Sequence, residues 1–141
     1  MEDFRIEKNK LTVQEYQTLR HTTDWFQLDD ETVGKSLESD LFSICIYSGD
    51  LIIGMGRIVG DGAIYFYIQD IIVVPEMQGK GIGKMIMDEI EDYLQKNAFH
   101  NSFVGLMAAS GVEKFYHQFG YKTRDADKPG MSKLIKKNGV G

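Results

Sequence analysis

The chain has 141 residues, 43% hydrophobic and 26% charged, with a formal net charge of −5 and a single cysteine. That length supports one domain with a real core, the acidic balance argues against nucleic acid as a partner, and no run of 18 apolar residues is present to span a membrane. Cys45 alone excludes an internal disulfide, no Cys/His cluster has zinc spacing, and the charged start MEDFRIEKNK lacks a signal core, so no metal is expected and the expected location is cytoplasmic.

In chain order, Phe4 and Ile6 alternate with polar residues and predict a short first strand reaching Lys8. Thr12 is placed as an N-cap, with Glu15 three residues on completing a capping box. Val13, Tyr16 and Leu19 or Arg20 give the period of the helix it starts. Trp25 and Phe26 fall in the following loop, and Asp29 or Asp30 caps a second helix carrying Val33 and Leu37. Residues 41–47 read as a strand in which Cys45 is a buried small hydrophobe. Ser48-Gly49-Asp50 turns the chain into a strand over 51–59, where Gly54 and Gly56 mark a bulge or close packing. Gly60-Asp61-Gly62 is the next turn, and 63–74 is a long strand. Three strands joined by such short turns imply an antiparallel meander.

The stretch 69–84, QDIIVVPEMQGKGIGK, organises the rest. It reads as a buried strand, a break at Pro75, Glu76 and Met77, and a helix with a glycine-rich first turn. The first amides of a helix lack partners within it and carry partial positive charge, glycines let an anion approach them, and Lys80 and Lys84 add charge. This is a seat for a phosphate or pyrophosphate, or else a glycine-rich turn with no ligand. A Walker loop is excluded by spacing and by the missing hydroxyl, and a dinucleotide fingerprint fails because Lys84 stands where its third glycine belongs. The helix runs to about Asn97 with Ile82, Met85, Ile86, Ile90 and Leu94 as its apolar stripe and Asp88, Glu91, Asp92 and Gln95 opposite. A strand over 103–107 should lie parallel to the long strand with a right-handed crossover. Ser110 or Gly111 opens a helix through Phe119, stopped by Gly120. Two short strands are predicted over 121–124 and 131–136, separated by the turn Asp127-Lys128-Pro129-Gly130, and the tail over 136–141 reads as frayed.

Gln78, Gly81 and Gly83 satisfy the spacing Gln/Arg-x-x-Gly-x-Gly/Ala. With the strand and VVPE run before them, they resemble the acyl-CoA-binding motif of the GCN5-related N-acetyltransferase (GNAT) superfamily. The resemblance covers the whole chain and implies one α/β domain over 1–141. Its mixed sheet has the order β-α-α-β-β-β-α-β-α-β-β, and its central strands splay apart to admit acetyl-CoA. It implies that the pyrophosphate lies on Gly79, Lys80, Gly81, Ile82, Gly83 and Lys84, and that backbone near Ile72, Val73 and Val74 pairs with the pantetheine arm and acetyl carbonyl. Phe115-Tyr116-His117-Gln118-Phe119-Gly120-Tyr121 resembles the family's F-Y-x-x-x-G-F/Y signature. By that resemblance Tyr116 is the general acid that protonates the departing thiolate, a role suited to a phenol that stays protonated at neutral pH. Phe115 and Phe119 read as core. The chain departs from the family where an Asn-x-x-Ala precedes the signature: Ala109 and Val112 stand there, and Ser110 is the candidate to replace the lost pantetheine contact.

For the base, Asp70, Glu76 and His117 are considered. Asp70 lies in an apolar run, where a carboxylate needs a reason: catalysis, or accepting backbone hydrogen bonds. Glu76 reads as a solvated turn residue and His117 as surface, and water is the remaining carrier of the proton. Trp25, Phe26, Tyr65 and Tyr67 are candidate walls of an acceptor pocket able to meet a cation through their π faces, or else ordinary core and dimer packing. The expected activity is transfer of an acetyl group from acetyl-CoA to a primary amine of a small molecule by direct attack in a ternary complex. The alternatives are a CoA-binding regulatory module without catalysis, and acetylation of a protein or peptide amine. A homodimer is compatible with the resemblance.

Overall fold

Local signals set the ends of most elements. The computed structural model describes residues 3–137 and divides into two compact units, Met1–Met107 and Ala108–Gly141. The first unit begins with β1 (Phe4–Lys8) and α1 (Val13–Arg20). At the start of α1 the capping box forms in full, with the Thr12 hydroxyl accepting from the Glu15 amide and the Glu15 carboxylate accepting from the Thr12 amide, both at 3.1 Å. Asp29 caps α2 (Asp30–Glu38) by accepting from the Thr32 amide at 2.7 Å. Then come β2 (Phe42–Ser48), β3 (Leu51–Gly60) and β4 (Tyr65–Val73), followed by a 3₁₀ turn at Pro75–Met77, α3 (Ile82–Asn97) and β5 (Phe103–Leu106).

These five strands form one sheet in the order β1-β2-β3-β4-β5, antiparallel throughout except for the parallel β4–β5 pair. The meander and the parallel step are those the turn and helix spacing predicts. The core lies entirely in this unit. On α3, Ile82, Ile86, Met87, Ile90 and Leu94 are buried, each worth about 1.5–3 kcal/mol relative to an exposed position. Met85, expected in that stripe, is half-buried, and Met87 takes the inner position. Cys45 is fully buried, and burial pushes its thiol up to about 12, as suits an inert core residue.

Gly54 and Gly56 mark close packing. A Cβ at Gly56 would stand 2.7 Å from Ile71 Cδ1 and 2.8 Å from Ile86 Cγ2, and one at Gly54 would stand 3.0 Å from Ile82 Cγ2. Glycine on β3 is what lets α3 lie against the sheet.

Two irregularities position the site. Between the β3–β4 pairs Met55↔Ile72 and Arg57↔Gln69, the residues Asp70 and Ile71 oppose Gly56 alone, so β4 bulges there, with Asp70 at φ +56°. The β4–β5 register runs only from Tyr65↔Phe103 to Ile68↔Leu106, so β4 continues to Val73 after β5 has stopped. This is the expected parting of the two strands, seen as an unmatched half of β4.

The second unit contains α4 (Glu113–His117), shorter than the predicted helix, and a turn in which the Lys128 amide donates to the Asp125 carbonyl. The two closing strands predicted over 121–124 and 131–136 are not formed: the described residues there join no ladder. Their sequences can adopt an extended backbone, but a strand exists only with a partner to take its amides and carbonyls, and apolar Met131, Leu134 and Ile135 are exposed. The end of the tail, 138–141, lies outside the described residues.

Candidate active site

The glycine-rich turn has the conformation that an anion seat requires. Gly79 and Gly81 have φ of +82° and +84°, and no atom lies within 4 Å of where a Cβ would stand on either. A side chain would be strained at both positions and would fill the open space. Gly81 is the N-cap of α3, so the amides of Ile82, Gly83 and Lys84 begin a 16-residue helix, with no carbonyl a turn earlier to receive them. Pro75 opens the preceding 3₁₀ turn, and the Gln78 amide closes it by donating back to the Pro75 carbonyl at 3.3 Å. The Gln78 side chain bonds the Val73 carbonyl at 3.1 Å, tying the turn to the end of β4. The Lys84 ammonium is held by Asp88, one turn along the same helix, at 2.8 Å. The seat fits a pyrophosphate through amides and glycine geometry more than through Lys84.

The pairing of β4 with β5 ends at Ile68, and among the described residues no strand pairs with that flank of β4 over Gln69 to Val73. Val74 is anchored on the other side, its amide donating to the Ile53 carbonyl at 2.9 Å. Of the expected pantetheine contacts, Ile72 is buried and Val73 half-buried on this free flank.

Asp70 proves to be the centre of a buried polar network. It accepts from the Arg57 guanidinium at 2.8 Å and from the Tyr16 hydroxyl at 2.9 Å on Oδ2, and from Arg20 at 3.4 Å on Oδ1. Arg20 also donates to the Tyr16 hydroxyl at 2.9 Å. Arg57 turns its other edge to Asp40, with contacts of 2.6 to 3.2 Å, and to the Ser36 hydroxyl at 2.8 Å. Tyr16, Arg20, Arg57 and Asp70 are all more than 90% buried. Burial raises the Asp40 carboxyl, against the lowering pull of Arg57. For Arg57, burial works to lower the guanidinium, but Asp40 and Asp70 outweigh it and raise it. Burial, reinforced by Asp70, raises the Tyr16 phenol. The two charge pairs satisfy each other, which is the condition for keeping four ions out of water.

The donors on Asp70 are therefore side chains rather than the backbone groups expected, and both carboxylate oxygens are occupied. Tyr16, Arg20, Arg57 and Asp40 were not singled out as site residues by sequence reasoning. The available signal was a pair of opposite charges, Arg57 and Asp70, each set in an apolar strand.

Beside this network, the α1–α2 loop encloses a cavity of about 90 Å³ lined by Gln17, Arg20, His21, Thr23, Trp25, Phe26 and Gln27. Arg20 stands 5.3 Å from the Trp25 ring centre and 4.8 Å from that of Phe26, and its Nε donates to the Phe26 carbonyl at 3.2 Å. Trp25 and Phe26 line one cavity, and the same Arg20 guanidinium stands over both rings. Tyr65 and Tyr67 have different neighbours: Tyr65 meets Phe103 edge-on at 6.2 Å, and Tyr67 lies against Gly105.

In the second unit, Tyr116 is half-buried within an aromatic cluster, its ring 5.1 Å from Phe115, which in turn lies 5.4 Å from Phe119. Burial raises the Tyr116 phenol above its ordinary value. Its carbonyl accepts from the Phe119 amide, and Gly120 turns the chain at φ +91°. Ser110 and His117 are exposed.

A family model described as "Acetyltransferase (GNAT) domain" matches residues 8–132. Among curated proteins, the chloroplastic GCN5-related N-acetyltransferase 2 of Arabidopsis thaliana is 35% identical over 84 residues, 60% of this chain and 31% of that protein. An uncharacterised N-acetyltransferase, ycf52-like, of Prochlorococcus marinus is 29% identical over 111 residues, 76% of this chain and 61% of that protein. The chain thus spans less than a third of the first of these relatives and less than two thirds of the second. Among solved structures, a protein of unknown function and probable acetyltransferase from meticillin-resistant Staphylococcus aureus superposes with a TM-score of 0.88 at 31% identity, covering 94% of this chain and 100% of that one. The aminoglycoside N-acetyltransferase AAC(6')-Iy, solved in complex with CoA, shares the fold with a TM-score of 0.65 at 12% identity, over 98% of this chain and 97% of that one.

Proposed function

The chain belongs to the GNAT acetyltransferase family, and on that premise we propose that it moves an acetyl group from acetyl-CoA to a primary amine of a small molecule, by direct attack in a ternary complex. The observation that carries this reading is the turn before α3. There the two left-handed glycines, Gly79 and Gly81, lie in the segment that matches the family's acyl-CoA motif and open the helix amides to a pyrophosphate. Gln78 holds that turn to Val73, so the phosphate seat and the free flank of β4 keep a fixed spacing. Ile72, Val73 and Val74 offer that flank to the pantetheine arm. When bound, acetyl-CoA supplies a thioester whose carbonyl the amine attacks.

Tyr116 is assigned the proton for the departing sulfur. Its raised phenol keeps that proton through the neutral range and beyond its ordinary value near 10. Asp70 is assigned a positioning role, holding Arg20 at the wall of the α1–α2 cavity, with water removing the amine's proton. The cavity of about 90 Å³ at that wall is the candidate seat for the head group of the amine.

The test is thiol release from acetyl-CoA across a panel of small amines and lysine-containing peptides, with a no-amine control. Stimulation by one class of small amine supports the proposal, and stimulation by peptides alone replaces it with protein acetylation. Binding without release over the whole panel moves the reading to a CoA-binding regulatory module. In the Tyr116→Phe variant, turnover should fall by about 10- to 100-fold, in line with the loss of a general acid, while CoA affinity holds. Because burial raises the phenol, the wild-type alkaline limb attributable to Tyr116 should lie above pH 10 or so. Equal turnover of both proteins across the pH range removes Tyr116 from the mechanism.

A further inference from the structure

The cavity enclosed by the α1–α2 loop has one permanently charged wall. Arg20 supplies it, and no Asp or Glu is among the residues lining the cavity. An ammonium placed there would face a guanidinium and find no carboxylate. The charge of the wall selects an anion instead.

Arg20 is only 6% exposed, and its partners fix it on several sides. Nε donates to the Phe26 carbonyl, and Nη1 donates to the Tyr16 hydroxyl and to Asp70. The Trp25 and Phe26 rings lie against the guanidinium. Nη2 is the nitrogen left over. It has no acceptor among the described residues, and it is not sealed off, since the buried side-chain atom without a partner is Gln17 Oε1. A guanidinium nitrogen in so buried a residue is costly to leave unpaired, so an oxygen brought by a ligand would be bound there.

The neighbouring charges favour the same occupant. Arg57 stands between two carboxylates, 2.6 Å from Asp40 and 2.8 Å from Asp70, whereas Arg20 reaches Asp70 alone at 3.4 Å. The anions of the network are drawn toward Arg57, which leaves the cavity side with positive charge. Other polar groups of the wall are already engaged. The Gln17 amide nitrogen donates to the Leu28 carbonyl and to Asp30, and the Thr23 hydroxyl donates to the Arg20 carbonyl at 2.7 Å. With the Thr22 hydroxyl on the Leu19 carbonyl at 2.6 Å, the last oxygens of α1 are covered and compete little with an incoming anion.

We propose that the acceptor is an amine that also bears a carboxylate, as an amino acid does, and that this carboxylate binds Arg20 Nη2 in the α1–α2 cavity while its amine stays free for acetyl transfer. One open nitrogen on one permanent cation balances a monoanion, whereas a phosphate dianion would be half compensated. This names the substrate class of the site already described and rests on the acetyl-transfer reading of it.

The test has two arms. In the first, kcat/KM is measured for a series of amino acids, for the carboxamide of each, and for aminoalkyl phosphates. The acid should exceed its carboxamide by about 10-fold or more, mainly through KM. Arg20→Lys should keep the preference at a higher KM, and Arg20→Gln should remove it. Circular dichroism checks that the variants fold, and the wild-type comparison of acid with carboxamide stands without them.

The second arm needs no turnover. Trp25 is the chain's single tryptophan and lies against Arg20. Its fluorescence is titrated with propionate, propionamide and inorganic phosphate at constant ionic strength. Propionate should give a saturable change that propionamide does not, and Arg20→Gln should lose it. Carboxamides acetylated as well as their acids leave acetyl transfer standing and overturn the carboxylate seat, as does a propionate titration that never saturates. A stronger response to phosphate, matched by turnover of aminoalkyl phosphates, replaces the carboxylate with a phosphate. Propionate binding through Arg20 with no amine acetylated retires the transfer reading and leaves the seat.

Discussion

Asp70 is held in place by the backbone as well as by its partners. Its φ of +56° is a conformation that aspartate and asparagine tolerate better than other non-glycine residues, and the bulge it creates turns its carboxylate to the side where Arg57, Tyr16 and Arg20 converge. Asp70→Asn keeps both the backbone preference and an acceptor oxygen, and changes little but the charge. It leaves Arg57 and Arg20 with Asp40 as the only carboxylate in the network. Removing one partner of a buried ion pair costs about 3–5 kcal/mol, and the retained amide oxygen should place this variant near ~3. A urea midpoint with an unchanged slope measures it. The kinetic signature separates the two roles open to Asp70. A positioning residue moves KM for the amine and leaves the shape of the pH–rate profile intact, whereas a base removes the acidic limb along with kcat. We expect the first.

At the scale of elements, the glycines of β3 matter to the site although none touches it. Gly54 and Gly56 let α3 pack on the sheet, and α3 carries the anion seat at its first turn. In Gly56→Ala the new methyl meets Ile71 Cδ1 at 2.7 Å and Ile86 Cγ2 at 2.8 Å. Ile71 can swing the end of its side chain away, but the Ile86 methyl branches from Cβ of a fully buried residue on the helix itself. Overpacking of this kind costs about 1–3 kcal/mol. The helix should also shift, so we expect weaker CoA binding alongside a lower urea midpoint, measured by calorimetric titration. Unchanged affinity at reduced stability would mean that the helix start is held by the Gln78–Val73 tie alone. The same comparison explains what could be read from the sequence. Thr12 with Glu15, and Asp29 as one of two neighbouring cap candidates, are signals contained within a few residues, and both caps formed. Asp70 meets side chains 13 to 54 positions away, and no local pattern announces such partners. The closing strands failed for a related reason, since alternation shows that 131–136 could be a strand but not whether an edge will receive it.

For the whole molecule, burial is divided unevenly along the chain. Among the described residues, every buried side chain lies at or before Leu94, and none from Ala108 onward is buried. Local opening needs little free energy where few apolar contacts must be broken, so the two units should differ sharply in their resistance to a protease. Trypsin has sites on both sides of the division. Lys84 and Lys96 are exposed, but they sit in a helix with a buried stripe, whereas Lys122 and Arg124 lie in backbone that joins no ladder. Cleavage of dilute protein should begin at Lys114, Lys122 or Arg124 and leave a persistent fragment containing β1 to β5, identified by its mass. Cleavage opens the chain from its equilibrium population of exposed states when reclosing is fast. First cleavage inside α3, with the 108–137 stretch still intact, would show that the second unit draws its stability from contacts the exposures do not reveal.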